Sequence, residues 1–342
     1  MEISDFAVHF SAPNRRELAT ATIQTMRLQA GLPVEDGYLG IARDWVHQSV
    51  FELVSPLSNA PRARGDGLAA SITSGDLPAL IAAGAGQILA DVWPRVVADL
   101  GWTLPVPAPS FQPIDVMTGA PPALQPIADG GKILPAAPKI NRERGSVSPF
   151  GAAVFLAETV FRADTSGILL RTAAGLVLSA ASKLADLAFA LFADNPRLID
   201  GQPWLIDGEN RAAVGASLDE SSLSATLAGL RRQRVGELQT SPAARFLLVG
   251  PGDELTARGL IHDFGLNTLS LIVDARLDGF GFGVFADPGE YPCVARLTLA
   301  RQEMPVISIT KGFREVGLSY KTTFDCRLVP TSRTGVYWTP AA

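Results

Sequence analysis

The chain has 342 residues and a formal net charge of −5, with 47% apolar and only 18% charged residues. Its length allows one large or two ordinary domains, and its acidic balance gives no support to a general nucleic-acid binder. A mean hydropathy of +0.21 is typical of a membrane protein or of one that buries much surface in contacts; because the longest apolar run, 168–192, contains Arg171, Lys183 and Asp186, we expect no membrane span.

The first 93 residues predict three helices and a linker. The first helix runs over 14–31, with Asn14 as its cap and a glycine at its end. A second covers about 41–53, a stretch rich in glycine and proline at 56–76 indicates a linker, and a third covers about 76–93.

The stretch 102–149 is dense in proline and lacks helical or strand periodicity. Ten prolines fall in it: Pro105, Pro107, Pro109, Pro113, Pro121, Pro122, Pro126, Pro135, Pro138 and Pro149. It also carries large apolar residues: Trp102, Phe111, Ile114, Met117, Leu124, Ile127, Ile133 and Leu134. Compact domains rarely contain so long a piece without structure of its own. We therefore expect an extended arm that lies on another copy of the chain.

The stretch 150–161 predicts a strand, and the longest helix follows it. Apolar residues recur every three or four positions from Leu169 to Leu191, which predicts a helix roughly 40 Å long. Asp164 or Thr165 would cap it, and Asn195-Pro196 would end it.

The last third predicts a mixed α and β arrangement. Helices are expected at 218–232 and 253–261, and strands at 246–249, 270–273, 281–286, 306–309 and 320–328, the last two forming a hairpin around 312–317. The fold class is therefore α+β.

No catalytic, cofactor or metal constellation emerges from the residue pattern. His9, His47 and His262 stand in unrelated contexts, and Cys293 and Cys326 are the only cysteines, which fits a reducing compartment. A hydrolase using Cys293 or His262 stays the alternative of a different class, although a buried structural thiol is favoured. We accordingly expect no enzyme activity, no catalytic or metal-binding residues and no cofactor.

Several short motifs resemble the major capsid proteins of tailed bacteriophages with the HK97 fold, in particular the Mu-like major head subunit. They are TSGDLPAL at 73–80, LIDGQPWL at 198–205, PAARFLLVGP at 242–251, DELTAR at 253–258, FADP at 285–288 with Pro292, and Tyr320-Lys321 with Phe324 and Arg327. Each motif is short, but their order and the arm followed by a long helix are specific together.

The resemblance implies a division of the chain into modules. These are an N-terminal helical scaffold-like segment with linker at 1–72, an N-arm at 73–101, an arm called the E-loop at 102–149, a peripheral domain with the spine helix at 150–240 and 305–342, and an axial domain at 241–304. The first 70 residues would be dispensable for the fold, with few contacts across the linker. An isopeptide bond through Lys132 or Lys139 in the arm is a remote further possibility of the resemblance.

The resemblance also implies a function. The chain would form pentamers and hexamers of an icosahedral shell around double-stranded DNA, without sequence-specific binding, in a virion assembled in the host cytoplasm. Partners would be further copies, a portal protein and a scaffold or decoration protein. The alternative within the fold is an encapsulin-type nanocompartment. We expect arginines to pair with acids between subunits, at 142–144 and 231–234.

Overall fold

The computed structural model describes residues 13–47, 77–120, 139–162, 166–235, 238–311 and 317–342. Contacts divide the chain into two compact units. Unit 1 contains 1–96, 149–182 and 304–324, and unit 2 contains 97–148, 183–303 and 325–342.

The described residues mix helices and strands throughout. The helices are α1 (Pro13–Gln29), α2 (Leu39–Trp45), α3 (Leu77–Asp99), α4 (Glu158–Arg162), α5 (Ile168–Asp194), α6 (Glu220–Arg231) and α7 (Glu254–Asp263). The strands are β1 (Leu104–Ala108), β2 (Ile114–Ala120), β3 (Lys139–Gly145), β4 (Ser148–Ala157), β5 (Arg234–Val235), β6 (Leu238–Gln239), β7 (Ala244–Val249), β8 (Ser270–Val273), β9 (Phe282–Ala286), β10 (Val294–Leu299), β11 (Val306–Lys311), β12 (Gly317–Pro330) and β13 (Val336–Thr339).

Unit 1 is built on helices that approach each other closely. A Cβ at Gly84 of α3 would lie 2.8 Å from Leu170 of α5 and 3.4 Å from Ile23 of α1, so the glycine allows these three helices to meet. Strand β12 pairs with β11 from Leu318 to Thr323 and also pairs with β4. The Trp93 ring packs edge-on against Phe324, 5.1 Å between centroids, which joins α3 to this sheet.

Unit 2 contains a four-stranded sheet in the order β13-β9-β7-β8, covered on both faces. Successive side chains of a strand point to opposite faces. Val284 of β9 therefore joins the core under α6 and α7, and Phe285 joins an aromatic cluster on the other face. That cluster consists of Trp102, Phe189, Phe192, Trp204, Phe285 and Trp338.

The second sheet of unit 2 begins with the edge strand β1. Strand β1 pairs in parallel with β10, and β10 pairs antiparallel with the last residues of β12, from Cys326 to Pro330. Apolar side chains on one face of this sheet form a small core of Ala108, Ala295, Leu297 and Val329, which the arm covers.

Most elements predicted from the sequence are confirmed. The long helix ends at Asp194 before Asn195-Pro196, and Asp219 caps α6 through the Ser222 backbone N–H, as expected. The hairpin of β11 and β12 is confirmed by its pairing, although its turn lies outside the described residues. Seven strands of the described residues were missed: β1, β2 and β3 in the stretch expected to lack strand periodicity, and β5, β6, β10 and β13 elsewhere. The strand predicted over 150–161 is wrong at its end, where Glu158 starts α4.

Two expectations about the chain's segments are wrong. Trp102, assigned to the arm, is fully buried in the aromatic cluster of unit 2, where its ring centroid lies 4.8 Å from that of Phe285. Helix α1, expected to make few contacts beyond the linker, is buried within unit 1 and bonded to α3. The linker itself and the caps at Asp164 and Thr165 lie outside the described residues.

Two helices of the described chain are long and apolar enough to cross a membrane, α3 and α5. In α3, 67% of the most apolar stretch is buried inside the structure, and in α5 the share is 50%. Core helices of globular proteins can be equally long and apolar. Helix α5 also contains the charged residues Arg171, Lys183 and Asp186.

Candidate assembly surface: the arm stem and its anchor

The arm leaves unit 2 as a two-stranded antiparallel ribbon, which we call the arm stem. Its strands β2 and β3 pair in register from Ile114 opposite Gly145 to Ala120 opposite Lys139. An isolated two-stranded ribbon is marginally stable in water. The stem must therefore be held by one of its faces, and the alternation of side chains shows which face that is.

The inner face of the arm stem packs on the second sheet of unit 2. Val116 is 7% exposed and joins Val147 in the small core with Leu297 and Val329. A Cβ at Gly145 would lie 2.5 Å from Val329 Cγ2, so this glycine allows the close approach of the ribbon to the sheet. The packing fixes the root of the arm.

A buried carboxylate adds a polar anchor to the same face. Glu143 of β3 is 8% exposed, and its two carboxylate oxygens accept from the Ile199 backbone N–H at 3.0 and 3.1 Å. Burial raises the pKa of Glu143 most, the neighbouring Asp200 raises it further, and Arg333 acts in the opposite direction. Glu143 thus connects the arm stem to the loop that follows α5.

That loop is fixed by an ion pair with two parallel hydrogen bonds. Arg333 donates from Nη1 to Asp200 Oδ2 at 2.6 Å and from Nη2 to Asp200 Oδ1 at 2.9 Å. These bonds hold the pKa of Asp200 at about 2. Gly201, with a φ of 79°, makes the turn after Asp200, and the Trp204 indole N–H donates to the Ser332 carbonyl at 3.0 Å.

The outer face of the arm stem is apolar at its centre and exposed. Met117 is 57% exposed and Ile140 is 55% exposed. Arg144 lies 3.1 Å from Asp115, and Arg142 lies 3.7 Å from the same carboxylate. All three residues 142–144 have partners within their own chain. Their pairing with acids or arginines of another subunit stays a prediction.

A cleft of about 940 Å³ opens beneath the stem within unit 2. Its walls include Thr118 and Asn141 of the stem, Ile199 of the following loop, and Tyr291 and Arg333. Met117 and Ile140 of the stem also line this cleft.

The residues considered for catalysis do not form a reactive group. Cys293 is fully buried, and burial raises the pKa of its thiol to about 12. The Cys326 thiol is also buried, with its pKa raised to about 12. His262 is an exposed residue near the end of α7, 3.0 Å from Asp263. A thiol held protonated in this way is inert as a nucleophile.

Sequence reasoning missed the anchor of the arm and found part of its loop. Lys132 lies outside the described residues, and Lys139 is the first residue of β3. Asp200 and Gly201 belonged to the 198–205 motif. Glu143 was expected to pair between subunits and not to anchor the arm within its own chain, and Arg333 was assigned no role. A lone glutamate in a basic stretch carries no pattern that would reveal its burial.

Comparisons with known proteins agree with this architecture. A family model described as "Phage capsid protein" matches residues 142–339. The capsid of the native GTA particle matches with a TM-score of 0.53 at 7% identity, covering 72% of this chain and 90% of that one. The capsid of Cyanophage P-SCSP1u matches with a TM-score of 0.50 at 10% identity, covering 71% and 87%.

No curated protein sequence matches the chain. The family match spans more than half of its residues, and the two structural matches cover 71% and 72% of the chain. The fold is therefore that of an HK97-type capsid subunit, and the chain belongs to the phage capsid protein family.

Proposed function

We propose that the chain is the major head subunit of a tailed double-stranded-DNA bacteriophage and tiles an icosahedral shell as pentamers and hexamers. The arm stem carries this proposal. Its inner face packs on the sheet of β1, β10 and β12, while Met117 and Ile140 on its outer face are more than half exposed. The Mu-like subtype stays a prediction.

The energetic reason is repetition of a small apolar contact. Fully burying a Met or Ile side chain is worth about 1.5–3 kcal/mol, and Met117 and Ile140 begin more than half exposed. One such contact would hold two subunits weakly. In a closed shell, each subunit both extends an arm and receives one, so that many weak contacts act together.

The proposed modules keep the boundaries expected from the sequence, with one adjustment. The E-loop at 102–149 contains Trp102, which is fully buried, and β1, which pairs with β10, so we place the free part of the arm after β1. We retain the peripheral domain at 150–240 and 305–342 and the axial domain at 241–304. No covalent bond through Lys132 or Lys139 is needed for this function.

We propose that the shell confines DNA without gripping it. A net charge of −5 leaves the subunit unable to neutralise many phosphates. Arg231 donates to the Ser241 carbonyl and Arg234 to Gln239, and neither has an acidic partner among the described residues. These arginines, with Arg232, are candidates for pairing with acids of another copy. A portal protein, a scaffold or decoration protein, and assembly in the host cytoplasm complete the proposal.

Electron microscopy of the purified chain, together with sedimentation, tests the proposed function. We expect closed particles that survive nuclease treatment. Particles found to contain an enzyme in place of a genome would favour a nanocompartment, and a stable small monomer under all conditions would contradict a shell subunit.

The hydrolase alternative has its own test. Replacing Cys293 and His262 with alanine should leave particle yield unchanged, because neither residue belongs to the arm stem. A hydrolytic turnover that both substitutions abolish would contradict a purely structural role of the chain.

A further inference from the structure

The second half of helix α1, residues 21–27, is enclosed on all sides, although the sequence of the helix is polar. Residues 21–27 are seven consecutive buried positions, and seven positions span almost two turns, so every face of the helix is covered. Ile23 and Met26 are 1% exposed, and Thr22, Gln24 and Thr25 are fully buried. A segment that lies loosely on a surface would leave one face in water.

The fully buried side chains of Thr22, Gln24 and Thr25 in α1 have hydrogen-bond partners. Thr22 and Thr25 donate to the carbonyls of Leu18 and Ala21, one turn earlier in the same helix, at 2.9 Å. Gln24 accepts from the Glu35 backbone N–H at 3.1 Å and lies 3.4 Å from Gln87. Because these bonds supply the partners lost on leaving water, the polar helix can be stable in this position.

Arg27 attaches α1 to the middle of α3. Its side chain is 7% exposed, with Nη2 2.7 Å from Asp91 Oδ2 and Nε donating to the Pro33 carbonyl at 2.7 Å. Removing α1 would take this cation away from Asp91 and would remove the contact of Ile23 with α3 at Gly84, where an added Cβ would lie 3.4 Å from Ile23 Cγ2.

The end of α1 sits against the turn that begins α5. Gly167 has a φ of 70°, and a Cβ placed on it would lie 2.5 Å from the Ala30 nitrogen and 2.8 Å from the Ala30 Cα. Arg171 of α5 donates from Nε to the Ala30 carbonyl at 3.2 Å. The backbone after α1 therefore fits a space that only glycine leaves open.

We propose that residues 13–47 are a permanent structural part of the subunit and remain in the assembled particle, whether or not the linker after them is cut. The permanent place of residues 13–47 in the subunit follows from the packing of unit 1. Their presence in an assembled particle rests on the proposed function. The proposal differs from the expectation of a scaffold-like segment that the fold could do without, since a segment whose residues 21–27 are enclosed on all sides cannot leave without opening the core of unit 1.

The first test cuts the full-length chain in solution. A recognition sequence for a specific protease is inserted between Asn59 and Ala60, in the predicted linker. After cleavage, we expect both fragments to coelute in gel filtration, with the melting temperature nearly unchanged. A released N-terminal fragment and a remainder that stays folded would overturn the proposal.

The second test compares two glycines of the α5 region. Gly167→Ala should lower the melting temperature by about 5 °C or more and speed proteolysis of residues 13–47, because it combines a positive φ with a backbone clash. Gly175→Ala is the matched control, since nothing lies within 4 Å of the added Cβ and alanine favours a helix. Equal effects of the two substitutions would contradict the proposed contact with Ala30.

Mass spectrometry of assembled particles gives the outcome in the shell. Peptides from 16–47 should occur in equal amounts to peptides from α5. Particles that lack them would overturn the proposal. If the chain forms no particles, the proposed function fails, while the solution tests still decide the role of α1.

Discussion

Arg333 and Asp200 face each other with two parallel hydrogen bonds, at 2.6 and 2.9 Å, across 133 positions of sequence. The same guanidinium donates from Nε to the Pro203 carbonyl at 2.9 Å, so one side chain holds the whole turn that supports Glu143. The root of the arm therefore depends on a residue that follows β12, near the end of the chain.

Removing the paired hydrogen bonds between Arg333 and Asp200 should loosen the loop that follows α5. Arg333→Gln should lower the free energy of unfolding by about 1–2 kcal/mol, a range that allows for the half-exposed Asp200 carboxylate. Arg333→Lys keeps the charge but not the paired geometry, so it should recover only part of the loss. Urea unfolding at pH 7 measures the free energy of unfolding of both variants. A lysine variant as stable as the native chain would contradict a role of the paired hydrogen bonds.

The same pair gives a pH dependence in strong acid. The folded Asp200 has a pKa of about 2, below its ordinary value of 3.8, so its contribution is present above pH 4 and is lost as pH falls towards 2. Asp200→Asn should remove this component. The measurement is the difference in unfolding free energy between native and variant chains from pH 5 to 2. A difference that does not shrink would be the contrary outcome.

Glu143 should give stability the opposite dependence on pH. Because burial raises its pKa, the folded state binds a proton more tightly than the unfolded state, and the stability it contributes falls as pH rises above the ordinary value of 4.5. Glu143→Gln keeps an oxygen that can accept from the Ile199 N–H. Relative to this variant, the native chain should lose stability between pH 5 and 7 in urea unfolding, and parallel curves would show that Glu143 is not perturbed.

Arg296 is a buried cation with an unsatisfied Nη1 among the described residues. It is 8% exposed on β10, and burial lowers its pKa. Taking a charged group out of water costs free energy, and replacing buried charged groups by apolar side chains of similar volume is often neutral or stabilising. Arg296→Met should therefore raise the free energy of unfolding, and the exposed Arg327→Met should leave it unchanged. A destabilised Arg296→Met would show that the guanidinium has a partner in solution.

The sequence predicted the helices better than it predicted the strands of the arm or the burial of α1. The apolar stripe of α5 and its stop at Asn195-Pro196 fix that helix by local periodicity alone. Strand β1 was hidden because Pro105 and Pro107 suggest irregular chain, but they occupy alternate positions of an edge strand, where no partner needs their N–H. The burial of α1 could not be predicted, because its threonines and glutamines resemble a solvated face until their partners in space are known.

The two faces of the arm stem should respond differently to polar substitution. Met117→Ser combined with Ile140→Ser should leave the melting temperature of the subunit nearly unchanged, because both residues are exposed, yet lower particle yield. Val116→Ser on the inner face should lower the melting temperature instead. Sedimentation and thermal unfolding separate these effects, and unchanged particle yield in the double variant would count against the outer face as a contact.

The most direct measurement concerns the arm beyond its stem. Ala120 and Lys139 are paired at the end of the ribbon, so residues 121–138 can be replaced by Asn-Gly, which closes a two-residue hairpin. Electron microscopy and thermal unfolding of this variant should show a soluble, folded subunit that forms no closed particles. Particles of normal size and yield, or a subunit that no longer folds, would contradict the claim that the arm holds neighbouring copies together.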